Sequence, residues 1–329
     1  MTALLALPDI AQVAEAFLRG SIGSANAFFS ATLVRAIPLT LVGVAVAIAF
    51  RAGVFNIGAE GQLLLGAVAA TIVGLYVDVG IAAIPLAMIA AAIAGGGWAA
   101  IAAILRARFG VLEVISTIML NFVAGNLVSY LVRGPLQEPT RVYPQTEPVL
   151  TAAQLPQLWG GTRLHAGIFL AVGACVAAWW ILGRTAGGFR ICAVGASATV
   201  SVVTGRIDAT RVTTGVFVAS GAIAGIAGGV EITGVTYALY ENLSPGFGFS
   251  AIAVAILARL HPLWIPLSAL LFAILEAGAL GMQRDAGVPS VVALALEGLV
   301  ILAVVAASGI RSPGLWSGVA RSAPALEKA

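Results

Sequence analysis

Of 329 residues, 60% are hydrophobic and only 9% charged, too little polar surface to coat a soluble globule of that size, so lipid must be the solvent. The net charge of +3 is small, and the loops divide it between two sides of a membrane rather than gathering it into a patch, which excludes a nucleic-acid partner. Uncharged runs such as Val79–Leu105 and Val212–Val230 do not alternate like barrel strands, and 39 glycines suit helices whose backbones approach closely.

The N-terminus, MTALLALPDIAQVAEAFLRG, places Pro8, Asp9 and Glu15 where a secretory signal needs its apolar core. Residues 1–32 therefore read as an extracytoplasmic amphipathic segment, 33–307 as the membrane domain and 308–329 as a cytoplasmic tail. Crossings are expected at 33–50, 62–77, 81–105, 112–132, 164–183, 211–230, 246–259, 262–281 and 289–307, from hydropathy, breaks and charge. The fold class is all-α: a polytopic membrane helix bundle of about nine crossings, with broken helices near the midplane.

Arginine sets the orientation. The inner connections carry Arg51, Arg106, Arg108, Arg184, Arg190, Arg206, Arg211, Arg259, Arg311 and Arg321, while the outer side mixes Arg19, Arg35, Arg133, Arg141, Arg163 and Arg284 with acids. Two connections are long. The proline-rich outer loop 134–161 can pack over the mouth and receive a delivery protein, and the basic inner loop 184–211 is long enough to dock a cytoplasmic partner.

Charges inside apolar spans are costly, and here all of them are carboxylates: Glu60, Glu113, Glu231, Glu276 and Glu297. No lysine or arginine is expected deep enough to pair with them, so each must be protonated, hydrogen-bonded or wetted by a cavity. Glu113 and Glu231, near span ends, read as structural. The strongest local feature is RAGVFNIGAEGQLLLG, where Asn56, Glu60 and Gln62 stand among Gly53, Gly58, Gly61 and Gly66, a poor helix interior. Broken backbone at membrane depth needs protein or a water-filled cavity to satisfy it, and in transporters such breaks often build the substrate site.

A second glycine-broken stretch, ENLSPGFGFS at 241–250, occupies a comparable place later in the chain. Asn121, Asn126 and Gln283 add polar candidates, and the rings of Phe55, Phe247 and Phe249 could stack on a flat or ring-shaped ligand, with ordinary packing the competing role for each. Cys175 and Cys192 form no plausible disulfide, and the isolated His165 and His261 offer no metal site; no cofactor is expected. A membrane enzyme finds no nucleophile, base or metal constellation here, and a proton-coupled secondary transporter explains Glu60, Glu276 and Glu297 but not the basic inner loop.

At RAGVFNIGAEGQLLLGA the sequence resembles permease subunits of ATP-binding-cassette importers in the branched-chain amino acid and simple-sugar group, specifically the nucleoside-uptake branch. The likeness continues through STIMLNF, VGASATVSVVTGRI, GFGFSAIAVAILARLHPL and ALLFAILEAGALGMQ, covering most of residues 30–307. It implies a multi-pass subunit of a bacterial inner membrane, a substrate pathway through Phe55, Asn56, Glu60, Gln62, Asn121, Phe247, Phe249, Glu276 and Gln283, and three partners: a cytoplasmic ATPase, a second permease subunit and an extracytoplasmic substrate-binding lipoprotein. The ATPase is demanded independently, because a phosphate-cradling GxxxxGK[ST] loop needs a lysine and Lys328 is the only one. By the same likeness Gly195, Ala196, Ser197, Thr204, Gly205 and Arg206 contact that ATPase through a coupling helix, although GASATVSVV lacks the family's usual asparagine-proline pair and further charges. Relatives usually carry one more hydrophobic helix before the segment matching 14–38, so that helix is lost here or the start lies downstream of the true one. The expected solute is a nucleoside, with a monosaccharide such as ribose as the alternative.

Overall fold

The computed structural model describes residues 10–289 together with 291, 295, 298, 299, 302 and 303. The elements in chain order are α1 (Ile10–Ser21), α2 (Ala25–Ala27) running through a π turn (Phe28–Thr32) into α3 (Leu33–Arg51), α4 (Ala59–Tyr76), α5 (Ala83–Phe109) and α6 (Glu113–Arg133). There follow α7 (Gly167–Arg184), α8 (Ala186–Ala196), α9 (Ala198–Gly205), α10 (Ala209–Glu231) with a π turn (Ile232–Thr236), α11 (Phe247–Leu257) and α12 (Ile265–Ala286). Among the described residues the only extended pairing is two isolated bridges, Gln145 with Tyr240 and Gln157 with His165.

Seven helical spans are long and apolar enough to cross a membrane: Ala25–Arg51, Ala59–Tyr76, Gly80–Phe109, Glu113–Arg133, Gly167–Arg184, Ala209–Thr236 and Pro262–Ala286. Each matches an expected crossing to within a few residues, except that the first begins eight residues before 33. The crossing expected at 246–259 holds a short helix. It is an 11-residue helix, α11, about 16 Å long and so roughly half a hydrocarbon core. Its start is set by Gly246 at φ +103 and by the Ser244 hydroxyl, which accepts the N–H groups of Gly246 and Phe247 at 3.1 Å each; its end is turned by Arg259 and Leu260, both at positive φ. The crossing expected at 289–307, with Glu297, lies largely outside the described residues, as does the tail. The inner connection 184–211 is folded into two short helices, α8 and α9, the second lying in the stretch where the likeness placed a coupling helix.

Helix α3 is the centre of the bundle. Of its apolar window 78% is buried, against 22% in α7, so α3 is surrounded by protein while α7 turns most of its surface outward. It packs against α7, α10, α11 and α12, and α10 packs against α4 and α5. Glycine makes the second group possible. A Cβ on Gly225 would lie 2.2 Å from the Ala91 carbonyl oxygen, and one on Gly228 would lie 2.0 Å from that of Leu63, so the backbones of α4, α5 and α10 touch directly.

The charge rule makes the arginine-rich end of the bundle the inner one. There α3 ends beside α8, with Gly195 against the Arg51 carbonyl, and Arg51 Nε donates to the Leu260 carbonyl at 2.9 Å. At the outer end the 134–161 loop pairs with the segment after α10: Thr146 N–H donates to the Leu239 carbonyl at 2.9 Å, and Leu155 N–H to that of Thr233 at 2.7 Å. Helix α1 lies along the outer half of α12, with Phe17 against Gly278 and Gly20 against Gly281.

Candidate functional site

Between α3 and α4 the chain leaves helical geometry from Ala52 to Gly58. Its polar groups are satisfied by side-chain amides. Asn56 and Gln62 exchange two hydrogen bonds of 2.9 Å, Asn56 Nδ2 also donates to Ser220 Oγ at 2.9 Å, and Asn56 Oδ1 accepts Gly58 N–H at 3.1 Å. Ser220 passes the link on by donating to the Ala45 carbonyl at 2.7 Å. From α6, Asn121 donates to the Ile57 carbonyl and accepts the Gly61 N–H, each at 2.9 Å. Such satisfaction is what non-helical backbone requires at membrane depth.

The second break meets the first. Glu60, in the first turn of α4 and 8% exposed, accepts the N–H of Gly248 at 2.7 Å, in the first turn of α11. The Ser244 hydroxyl also hydrogen-bonds its carboxyl group. A Cβ on Gly248 would lie 2.3 Å from the Glu60 backbone nitrogen, so two helix N-termini abut with a carboxyl group between them.

Above this junction opens an outer cavity of ≈ 630 Å³ lined by Arg35, Arg163, Glu231, Tyr240, Asn242, Phe247, Glu276 and Gln283, among others. Phe247, nearly buried, is both a wall of the cavity and the residue before Gly248, so the cavity and the junction are consecutive in the chain. Glu241, in the segment leading down to α11, is gripped at both carboxylate oxygens by Arg133 at 2.7 and 2.6 Å and by the Ser129 hydroxyl. The Arg133 guanidinium, helped by Ser129, holds the Glu241 carboxyl down to about 2. In the outer loop Gln145 and Thr140 hold the Glu138 carboxyl below its ordinary value. His165, wedged between Gly167 and Gly234, is pushed down to about 4 by burial and by the nearby Arg163.

The expected site residues thus divide. Asn56, Glu60, Gln62 and Asn121 come together at the junction; Phe247, Glu276 and Gln283 come together at the cavity. Phe55 and Phe249 are exposed and join neither group; Phe55 makes an edge contact with Phe50 at 5.1 Å. Asn126 is spent on the Phe122 carbonyl of its own helix. The expectation that no cation reaches the membrane carboxylates is corrected twice: Arg106 lies 3.4 Å from Glu113, and Arg35 and Arg163 share the outer cavity with Glu231 and Glu276. Sequence reading counted Arg35 with the outer side, just inside the crossing expected at 33–50; the structure carries the helical span back through the π turn to Ala25, ten residues before Arg35.

At the inner end Gly195 and Ala196 close α8, and Ser197 caps α9 by accepting Val200 N–H at 3.3 Å. Thr204 and Gly205 form the last turn of α9, and Arg206, at φ 49, stops it. The prominent surface of α9 is one the sequence reading passed over: Val200, Val202 and Val203 are all exposed. Apolar residues inside a basic inner loop were the available signal.

The family described as branched-chain amino acid transport system / permease component matches residues 28–305. The chain belongs to this family. The permease is therefore a transport subunit of the ABC-importer type, a multi-pass membrane protein and not an enzyme. It is 41% identical over 281 residues to a glucose ABC transporter permease of Haloferax volcanii, covering 82% of this chain and 74% of that protein. It is also 41% identical over 280 residues to a guanosine ABC transporter permease of Bacillus subtilis, covering 83% and 80%. A nucleoside ABC transporter permease of Lactococcus lactis is 32% identical over 279 residues, covering 82% and 76%. No solved structure gives a significant match.

Proposed function

We propose that the permease forms a passive pathway for nucleosides in the cytoplasmic membrane, assembled with a second permease subunit and an extracytoplasmic substrate-binding lipoprotein and powered by separate ATPase subunits. The single observation that carries this reading is the contact of two interrupted helices, Gly248 N–H on Glu60, directly beneath the outer cavity. A solute entering the cavity meets Phe247, and parting α4 from α11 opens the way toward the inner end. Glu231, Glu276, Asn242 and Gln283 offer hydrogen bonds to ribose hydroxyls and base edges, and Phe247 and Tyr240 offer ring faces. Asn56, Gln62 and Asn121 frame the gate. Tight binding belongs to the delivery protein, since a pathway that held its solute strongly would release it slowly. The α9 surface, with Gly195, Ala196, Ser197, Thr204, Gly205 and Arg206 around it, receives the ATPase.

Nucleosides are favoured by the two relatives named for guanosine and nucleoside transport. A monosaccharide is the second reading, favoured by the glucose permease at the same 41% identity. Uptake of labelled adenosine, competed in turn by uridine, ribose and glucose in cells with and without this chain, separates them. Competition by uridine alone supports nucleosides; accumulation of hexose with adenosine excluded moves the assignment to sugars. Proton-gradient-driven uptake by this chain alone in liposomes would sink the ATP-powered reading.

A further inference from the structure

The inner end holds a second cavity, ≈ 740 Å³, between the end of α3, the turn after α11 and the first half of α12. Arg51, Arg259 and His261 stand at its polar end, and among the described residues no carboxylate lines it. The described carboxylates near that end are already committed elsewhere, Glu113 to Arg106 at 3.4 Å and Asp208 to Arg211 at 3.1 Å. Arg51 is fixed through its Nε on the Leu260 carbonyl, which leaves both terminal nitrogens of the guanidinium free to bind an anion. His261 Nδ1 is buried without a hydrogen-bond partner. Below these groups the wall turns apolar: Leu267, Leu271 and Ile274 recur at helical spacing along about 10 Å of α12, and the first two are exposed. Trp264, 59% exposed, stands at the boundary, the position indole rings favour at a membrane surface.

We propose that this groove binds an anionic phospholipid of the inner leaflet, its phosphate on Arg51, Arg259 and His261 and an acyl chain along Leu267, Leu271 and Ile274. Two uncompensated guanidiniums select a net negative headgroup over a zwitterionic one. The apolar wall selects a lipid over a free phosphate, which would leave Leu267 and Leu271 uncovered.

Native mass spectrometry of the full chain, purified with its accompanying subunits, tests this by titration with dioleoyl-phosphatidylglycerol or dioleoyl-phosphatidylcholine. Phosphatidylglycerol is expected to be retained in preference. Arg259→Gln, an exposed substitution, weakens that retention about fivefold, and the R51Q/R259Q double variant abolishes the preference. R211Q, which removes an inner-end charge outside the groove, leaves it unchanged. Equal retention of the two lipids, or an unchanged preference in the double variant, overturns the proposal. Displacement of phosphatidylglycerol by equimolar glycerol 3-phosphate would reduce the groove to a phosphate site and overturn the lipid. So would cross-linking of a Leu271→Cys variant to a second polypeptide in native membranes.

Discussion

Asn56 and Glu60 stand four residues apart and do different work. Asn56 is wholly buried and makes four hydrogen bonds with Gln62, Ser220 and Gly58. Its replacement by alanine strands the Gln62 amide and the Gly58 N–H, so Asn56→Ala should lower stability by about 1–3 kcal/mol, read as a fall in the thermal midpoint of the purified protein. Glu60 instead holds a neighbouring helix. Glu60→Ala should reduce uptake at least tenfold at normal membrane abundance, whereas Glu60→Gln, whose amide oxygen can still accept the Gly248 N–H, should retain an intermediate rate; equal, unimpaired uptake in both variants removes Glu60 from the gate. The sequence marks both residues for the same reason, a polar side chain among glycines in a membrane span, and cannot separate them. That division depends on what Ser220 and Gly248, 164 and 188 residues away, bring to the site.

At the scale of elements, α11 shows why hydropathy marks a crossing without giving the length of its helix. An apolar run reports burial, and residues 246–259 are buried by α3, α4 and α12 rather than by lipid, so a half-length helix carries the signal of a full crossing. The breaks themselves were legible in Gly58, Gly61, Gly246 and Gly248; their meeting was not, because the contact spans most of the chain. The segment leading to α11 is held by the Glu241–Arg133 clamp, and its pH dependence follows. Because the folded Glu241 carboxyl lies at about 2 rather than the ordinary 4.5, its stabilisation is complete above about 4.5 and is lost as pH falls toward about 2. Protection of the backbone amides of residues 237–246, corrected for the intrinsic pH dependence of exchange, should therefore fall between pH 5 and pH 3 in the wild type, and Arg133→Gln should remove that loss. In the glycine-packed group, Gly225→Leu forces a side chain into the Ala91 carbonyl and should cost about 3 kcal/mol, seen as loss of the monodisperse purified protein.

Across the whole molecule, the bundle of apolar spans was readable from composition and hydropathy, and the charge rule supplies which of its ends is the inner one. The structure of the inner connection was legible only through the family likeness, which implied one coupling helix there, because α8 and α9 are too short to stand out by hydropathy beside the spans. Its exposed valines supply a test: Val200→Asp with Val203→Asp should abolish ATP-dependent uptake while leaving expression and thermal midpoint within the wild-type range, and undiminished uptake would free α9 of any part in energy transfer. Helix α10 begins four residues after α9 ends and is welded to α4 and α5 by backbone contact at Gly228 and Gly225. With no side chains at those points to act as cushions, the three helices form one rigid lever about 35 Å long. A tilt of about 5° applied at its inner end displaces Glu231, at the far end, by about 3 Å, the length of a hydrogen bond.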